Sequence, residues 1–355
     1  MVLEKNILDS LLEWAKVQLS LLGEETNFEI EPLREEASSR KYFRLKLPNK
    51  SLVLVSSSSE IDSSLKFASL SSEFLNKGIN VPEIYSFDKS QGFMLIEDFG
   101  ENLYQDLLNE ENEQQFYESA FDELIKIQKL NLKYPNKLDQ DTALEQMNLF
   151  EDWFLDKYLS INPKPSEKDC INSAYQFILN GFFAQPQVTC HFDFETRNLM
   201  QLSSNETGVL DFQDAVIGPI FLDVASLIKD LYQNRDVHKE KELLLLYTDK
   251  ALESQLLDIN SSKDWSLWLD MAGMQRQLRI LGTLVRLHLR DKKSFRLIDL
   301  PKTLDYLIDA SKRYKELSEF SNFLEKVSFM LNKKDLKVTG RLSYWQQEEE
   351  KGLSH

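Results

Sequence analysis

Apolar residues first recur at helical spacing from about residue 9, within MVLEKNILDSLLEWAKVQLSLLG, where charged and apolar groups alternate and Gly23 supplies the stop. The period then shortens. FEIEPL, KYFRLKL and SLVLVS are brief runs rich in aromatic and β-branched residues, and Pro48-Asn49 reads as a hairpin turn between the last two. A polar stretch, SSSSEIDSS, leads into LKFASLSSEFLNKG, which returns to helical spacing and closes on Gly78. VPEIYSF and GFMLIEDFG are two further strand candidates, separated by a turn at 88–92. Residues of about 25–100 therefore predict a small sheet with one helix inserted after its third strand.

Beyond Gly100 the pattern is helical almost to the end. Helices are predicted at 114–130, 143–159, 168–183, 226–232, 240–257, 265–290 and 301–314. The interruption at 188–214 reads as two strands and a loop. The expected fold class is α+β and two-lobed: residues 1–100 form a small β-rich lobe with a leading helix, residues 101–345 a larger helical lobe, and residues 346–355 a polar tail.

Composition narrows the classes. A chain of 355 residues with 42% hydrophobic positions can bury a sizeable core, which excludes disordered, collagenous and disulfide-built proteins. The net charge of −16 opposes polyanions, so neither nucleic acid nor an anionic membrane surface is expected as a partner. Two cysteines, Cys170 and Cys190, in no paired motif, fit a reducing cytoplasm and argue against a cysteine-based zinc site. The leading segment lacks a signal peptide's basic start and apolar run, and no stretch is long and apolar enough to span a bilayer.

The candidate chemistry lies in CHFDFETRN, residues 190–198, which contains H-x-D-x-x-x-x-N; Asp211 follows in GVLDFQD. Phosphoryl transfer to a hydroxyl requires the acceptor oxygen to be oriented, its proton to be accepted and the phosphate charge to be offset. One carboxylate serves the first two needs, and Asp193 is the candidate. Mg²⁺ takes oxygen ligands and keeps some waters, so one amide oxygen and one carboxylate, Asn198 and Asp211, suffice from the protein. His191 reads as a support for the loop. With only 4 His in the chain, a chance match to this spacing is on the order of one in a hundred. The competing reading is that these are turn-capping polar residues.

Five segments carry a resemblance: ASSRKYFR at 37–44, GFMLIEDFG at 92–100, HFDFETRNLM, LDFQDAVIGPIFLDVASLIKDLY, and QRQLRILGTLVRLHLRDKKSFRLIDLP. Through them the chain resembles the aminoglycoside phosphotransferase and choline kinase superfamily, whose fold is similar to that of protein kinases. Within it, the chain is most similar to the bacterial anomeric kinases for N-acetylmuramate and N-acetylglucosamine. The resemblance implies an ATP-dependent, Mg²⁺-requiring kinase acting on an amino sugar's anomeric hydroxyl in cell-wall sugar recycling. It implies Asp193 as base, Asn198 and Asp211 as metal ligands, and a hinge at Glu97 and Phe99 whose backbone holds the adenine. Ser39, Arg40 and Lys41 would cover the phosphates, and Asp223 would brace the catalytic loop. Arg197, Asp214 and Glu145 are acceptor-side candidates, although Glu145 also fits a solvated helix face.

The chain departs from the superfamily pattern as well. There is no glycine-rich loop at Ser38-Ser39-Arg40, and SLVLVSSSS has no lysine where most members place one on the phosphates. Glu73 then lacks the usual partner, and Arg40 or Lys41 is the expected replacement. Gln213 stands at the glycine of the D-F-G element. The rival readings are a kinase for another hydroxyl (an aminoglycoside, choline, methylthioribose or homoserine) and a non-catalytic nucleotide-binding module. Trp153, with Phe150, Phe154 and Tyr158, reads as core rather than a sugar platform. Arg276, Arg279, Arg286 and Arg290 read as partners for the surplus acids, with a substrate anion as the alternative. Cys190 reads as a small buried residue, and His238 and His288 carry no assignment.

Overall fold

Leu11, Ala15 and Leu19 stand at four-residue steps on the first helix, α1 (Val2–Leu21), and so share one face. In the computed structural model, which describes residues 2–33, 40–57, 61–133, 135–231, 236–294 and 296–334, that face closes on Leu45, Leu52, Leu54, Phe93 and Leu95. These partners come from an antiparallel sheet of β1 (Glu29–Pro32), β2 (Lys41–Lys46), β3 (Ser51–Ser56), β4 (Ile84–Asp88) and β5 (Phe93–Glu97), ordered β1-β2-β3-β5-β4. Leu54 lies opposite Leu95, and Val53 opposite Ile96. Both faces of β3 are buried, which is why SLVLVS reads as an unbroken apolar run rather than an alternation. Helix α2 (Ile61–Leu75) follows and buries Phe67, Leu70 and Phe74. Short α3 (Tyr104–Leu107) and longer α4 (Glu113–Gln128) complete the first stretch of this compact unit, which runs to Leu132.

The second compact unit takes in Lys133–Phe194 and resumes at Val216. It opens with β6 (Asn136–Lys137) and α5 (Gln140–Leu149), whose first turn is capped by the Asp139 carboxylate accepting the Thr142 N–H at 2.8 Å. Helix α5 then widens into a π-helical segment, Phe150–Leu159. Phe150 and Phe154 fall inside it as expected, with ring centroids 5.5 Å apart. Trp153 does not share their core position: it stays partly exposed beneath the Lys157 ammonium, 3.6 Å from its ring centre. The unit continues through α6 (Pro165–Phe183) and β7 (Gln187–Cys190).

From Glu195 to Ala215 the chain belongs to the first unit and forms the hairpin β8 (Leu199–Gln201) and β9 (Thr207–Val209). It then re-enters the second unit as β10 (Val216–Pro219), antiparallel to β7 and parallel to β6. Helices α7 (Phe221–Ile228), α8 (Val237–Glu253), α9 (Trp265–Leu289), α10 (Leu300–Ser311) and α11 (Ser318–Leu331) follow. Every residue of α7 is buried. Helix α9 is the axis of this unit and touches α5, the π-helical segment, α6, α7 and α10. A β-rich first unit and a helical second unit match the α+β class expected from the pattern. Among the described residues no helix is long and apolar enough to cross a membrane.

The closest approach along α9 is at Gly282, where a Cβ would land on the Leu149 carbonyl and 2.5 Å from the Leu149 Cβ. Backbone cannot yield as a side-chain tip does, so Gly282→Ala forces α5 and α9 apart. The expected cost in urea unfolding is about 2–3 kcal/mol. Gly181→Ala meets only the flexible side chain of Met271 and is expected to cost less than Gly282→Ala in the same measurement.

Candidate active site

Strand β7 delivers His191, Phe192 and Asp193 at its end. The loop turns sharply there: Phe192 has φ +86°, a region that costs a bulky residue about 1–3 kcal/mol. It is held by Asp223, in the first turn of α7, whose carboxylate accepts the N–H groups of His191 at 2.6 Å and Phe192 at 2.9 Å. Asp223 and His191 are both fully buried. The His191 ring packs edge-on against Phe194, and its Nδ1 accepts the Asp193 N–H at 3.3 Å. Burial pushes the Asp223 carboxyl up to about 6, against the opposing pull of His191 and the two N–H donors.

Asp193 itself is part-exposed. The Arg279 guanidinium of α9 donates to its Oδ1 at 3.0 Å. The same guanidinium lies 4.3 Å over the Phe192 ring, so the loop's strained residue and its carboxylate share one cation. The sequence pattern offered Arg279 only as one of four arginines on a helix; nothing in it singled out the one that meets Asp193.

Apart from Glu145, the other predicted residues that the structure describes lie in the first unit. Glu195 is buried and pairs with Arg197, whose Nε donates to Oε1 at 3.0 Å. Asn198 ends a single 3₁₀ turn, and its carbonyl accepts the Leu210 N–H at 2.9 Å. That bond continues the β8–β9 ladder and ties Asn198 to the segment carrying Asp211. Asp211 sits in the left-handed region at φ +61° and accepts a hydrogen bond from Gln213 Nε2 at 2.6 Å. The next residue, Phe212, is wholly buried between Phe67, stacked at 4.7 Å, and Phe74 at 5.3 Å, both from α2. Asp214 closes that turn and is exposed.

Arg40 lies at the foot of the same aromatic column. It is buried, donates through Nη2 to Ser63 Oγ at 2.6 Å, and stands 5.6 Å over Phe67. Lys41, the first residue of β2, is exposed. Ser39 lies outside the described residues, as do Ser38 and the polar tail. At the hinge, the Glu97 N–H donates to the Glu83 carbonyl at 2.8 Å. Asp98 is locked by Arg44, with Nε to Oδ2 at 2.6 Å. Burial alone would raise Asp98, but Arg44, Ser51 and the Gly100 N–H hold it below its ordinary value. The Phe99 ring rests on Gly208 of β9, where a Cβ would come within 2.7 Å of it.

The structure thus brings Asn198, Asp211 and Arg40 into one unit, and Asp193, Asp223 and Arg279 into the other. Glu145 is exposed on α5. The Arg44–Asp98 lock and the Asn80–Glu123 bond under β9 (2.5 Å from the Asn80 N–H) escaped the sequence reading, because their partners lie 54 and 43 positions apart with no motif joining them.

The profile of the phosphotransferase enzyme family matches residues 29–253. A curated relative from Pseudomonas aeruginosa, N-acetylmuramate/N-acetylglucosamine kinase, is 31% identical over 303 residues, covering 85% of this chain and 89% of that protein. Its namesake from Neisseria meningitidis serogroup B is 30% identical over 299 residues, covering 83% and 89%. Among solved structures, choline kinase LicA from Streptococcus pneumoniae superposes with a TM-score of 0.58 at 14% identity, over 84% of this chain and 98% of that one. The last likeness is one of fold, and it bears out the kinase-like α+β fold expected from the sequence.

The buried Asp223 gives a pH signature. Its folded value of about 6 lies above its ordinary 3.8, so protonation favours the folded state. The contribution is full below 3.8 and is lost as the pH rises through about 6. The stability advantage of the wild type over Asp223→Asn is therefore expected to shrink by about 2–3 kcal/mol between pH 4 and pH 7. Urea unfolding of both proteins across that range measures it, and a difference flat with pH would refute the assignment.

Proposed function

The chain belongs to the phosphotransferase enzyme family, and we propose that it transfers the γ-phosphoryl group of ATP to the anomeric hydroxyl of N-acetylmuramate or N-acetylglucosamine, in the reuse of cell-wall sugars. The observation that carries the acceptor is the shared name of curated relatives that are about 30% identical across more than four-fifths of this chain. The residues that carry the chemistry are those of the H-x-D-x-x-x-x-N loop and Asp211. An ATP-consuming reaction and two free cysteines are in keeping with a cytoplasmic enzyme.

In this reading Asp193 accepts a hydrogen bond from the sugar's anomeric O–H and aims the oxygen at the γ-phosphorus. A new O–P bond forms as the bond from the γ-phosphorus to the β,γ-bridging oxygen breaks. The hydroxyl proton passes to Asp193, and ADP leaves with the bridging oxygen. The backbone at Glu97 and Phe99 holds the adenine edge.

Asn198 and Asp211 suit a magnesium ion. They offer one amide oxygen and one carboxylate, both hard donors, from segments fixed to each other by the Leu210–Asn198 bond. Among the described residues no group of three or more His, Cys, Asp or Glu gathers for a metal, so the remaining ligands would be phosphate oxygens and water. When bound, the ion would offset the triphosphate's charge. Arg40 takes the part of the absent strand lysine: it is buried, anchored to Ser63 and stacked on the column that ends in Phe212, next to Asp211. Lys41, exposed at the strand end, does not share that setting.

An ADP-release assay over an acceptor panel tests the proposal. Release is expected with the two amino sugars and not with choline, an aminoglycoside, methylthioribose or homoserine. Magnesium-dependent ATP binding without transfer to any acceptor would instead establish the non-catalytic reading that the missing lysine favours. Asp193→Asn is expected to lower kcat by about 10²–10⁴-fold while the Kd for ATP stays within about threefold; near-wild-type turnover would remove Asp193 as the base. Arg40→Ala is expected to raise the KM for ATP about tenfold or more, with the KM for the sugar little changed.

A further inference from the structure

Arg279 pairs directly with the proposed base, and the chemistry above has no use for it. Among the described residues it makes one hydrogen bond, from Nη2 to Asp193 Oδ1 at 3.0 Å. A guanidinium carries five N–H donors in a rigid plane, so most of its donor capacity is not spent on the described residues. Its plane is fixed by the Phe192 ring 4.3 Å away, and its side chain is only 15% exposed. A cation largely withdrawn from water, held flat and directed beside the base by its neighbours, is built to take a second anion.

The two sugars differ by one such anion. N-acetylmuramate is N-acetylglucosamine with a lactyl ether on C3, ending in a carboxylate. If Asp193 receives the hydroxyl on C1, the C3 substituent starts two ring carbons farther on, beyond the acetamido-bearing C2, and its lactyl arm is long enough to turn back toward the Arg279 that pairs with the base. We propose that Arg279 determines acceptor specificity by binding the lactyl carboxylate with the donors it does not give to Asp193, bridging base and substrate. N-acetylglucosamine has no group for those donors, so the residue adds nothing to its recognition beyond steadying Asp193. Lysine lacks the planar fork and the stacking, so it reproduces the effect only in part. This inference rests on the reading of the chain as a kinase for these two sugars.

The test compares kcat/KM for both sugars in wild type, Arg279→Gln and Arg279→Lys, and adds a neutral acceptor, the lactyl carboxamide of N-acetylmuramate. Loss of one charge-assisted carboxylate contact is worth about ten- to a hundredfold. Arg279→Gln is expected to lose that factor for N-acetylmuramate over and above whatever it loses for N-acetylglucosamine, mainly through KM, with Arg279→Lys in between. Wild type is expected to use the carboxamide about as poorly as Arg279→Gln uses the acid, and Arg279→Gln should not distinguish acid from amide. Equal losses for the two sugars would overturn the inference and leave Arg279 as a positioning residue for Asp193. Equal use of acid and carboxamide by wild type would overturn it without any variant having to fold. Both results leave the kinase reading intact, whereas a wild type that phosphorylates neither sugar overturns both.

Discussion

Two N–H groups converge on the Asp223 carboxylate from the end of β7, and they set the direction in which Asp193 points. A carboxylate with no exposure to water is costly to ionise, by several kcal/mol when unpartnered. Each charge-assisted bond returns about 1.5–3 kcal/mol, and the left-handed Phe192 consumes part of that gain. The sum is close to balanced, so the arrangement contributes little stability. It contributes a fixed geometry: a loop that would relax to an ordinary β conformation is held where His191 supports the Asp193 N–H and Arg279 meets the Asp193 carboxylate. The first turn of α7 favours a negative side chain electrostatically, which places the acid at the one end of that buried helix where it is least expensive.

The first unit solves a different problem by packing. Asp211 adopts a left-handed conformation without being glycine, and its neighbour Phe212 is gripped between Phe67 and Phe74. Those rings stand seven residues apart on α2, two helical turns, so they present adjacent ledges on one face. The grip fixes the start of the 3₁₀ turn and hence the carboxylate before it. The cation that kinases usually carry on the third strand is absent, and between its terminal serines β3 is apolar. A cation does stand immediately ahead of β2: Arg40, whose guanidinium donates to Ser63 Oγ. A guanidinium suits this displaced position, because it stacks on Phe67 and still presents a planar set of donors, which an ammonium does not.

How far the sequence revealed this architecture depended on whether an element has two unlike faces. Strands β1 to β5 announced themselves as short runs rich in aromatic and β-branched residues, and α2 and the long α9 by helical stripes. Helix α7 begins at Phe221, whereas the pattern suggested a start at 226, because a helix buried on every side has no polar face to set its period. The stretch at 188–214, read as two strands, contains β7, β8 and β9, each three or four residues long and too short for a period to register. Helix α11 was not individually predicted, and nothing in the sequence pattern marked the π-helical widening after Leu149, which lies where α9 comes close at Gly282, more than a hundred residues away in the chain. The loop at 191–198 stood out in the sequence because H-x-D-x-x-x-x-N is a fixed spacing of polar types that periodicity does not produce. Its supports were partly legible: Asp223 through the family likeness, Arg279 not at all, since an arginine's partner is chosen by packing.

The chain's charge poses a last question, since a net −16 should repel a triphosphate and an acidic sugar alike. At physiological salt the surface charges are screened within about 8 Å, while a buried or half-buried cation is not. Local placement therefore outweighs the total. Arg40 and Arg279 are each largely withdrawn from solvent and each stacked on a phenylalanine, and Arg279 pairs with the Asp193 carboxylate. Stacking is the common device because it removes the rotamer freedom that a long cationic side chain would otherwise lose on meeting its ligand. A polyanion needs an extended positive surface, which a net charge of −16 does not favour. A small anion needs only one fixed fork, so the total charge does not by itself decide against one.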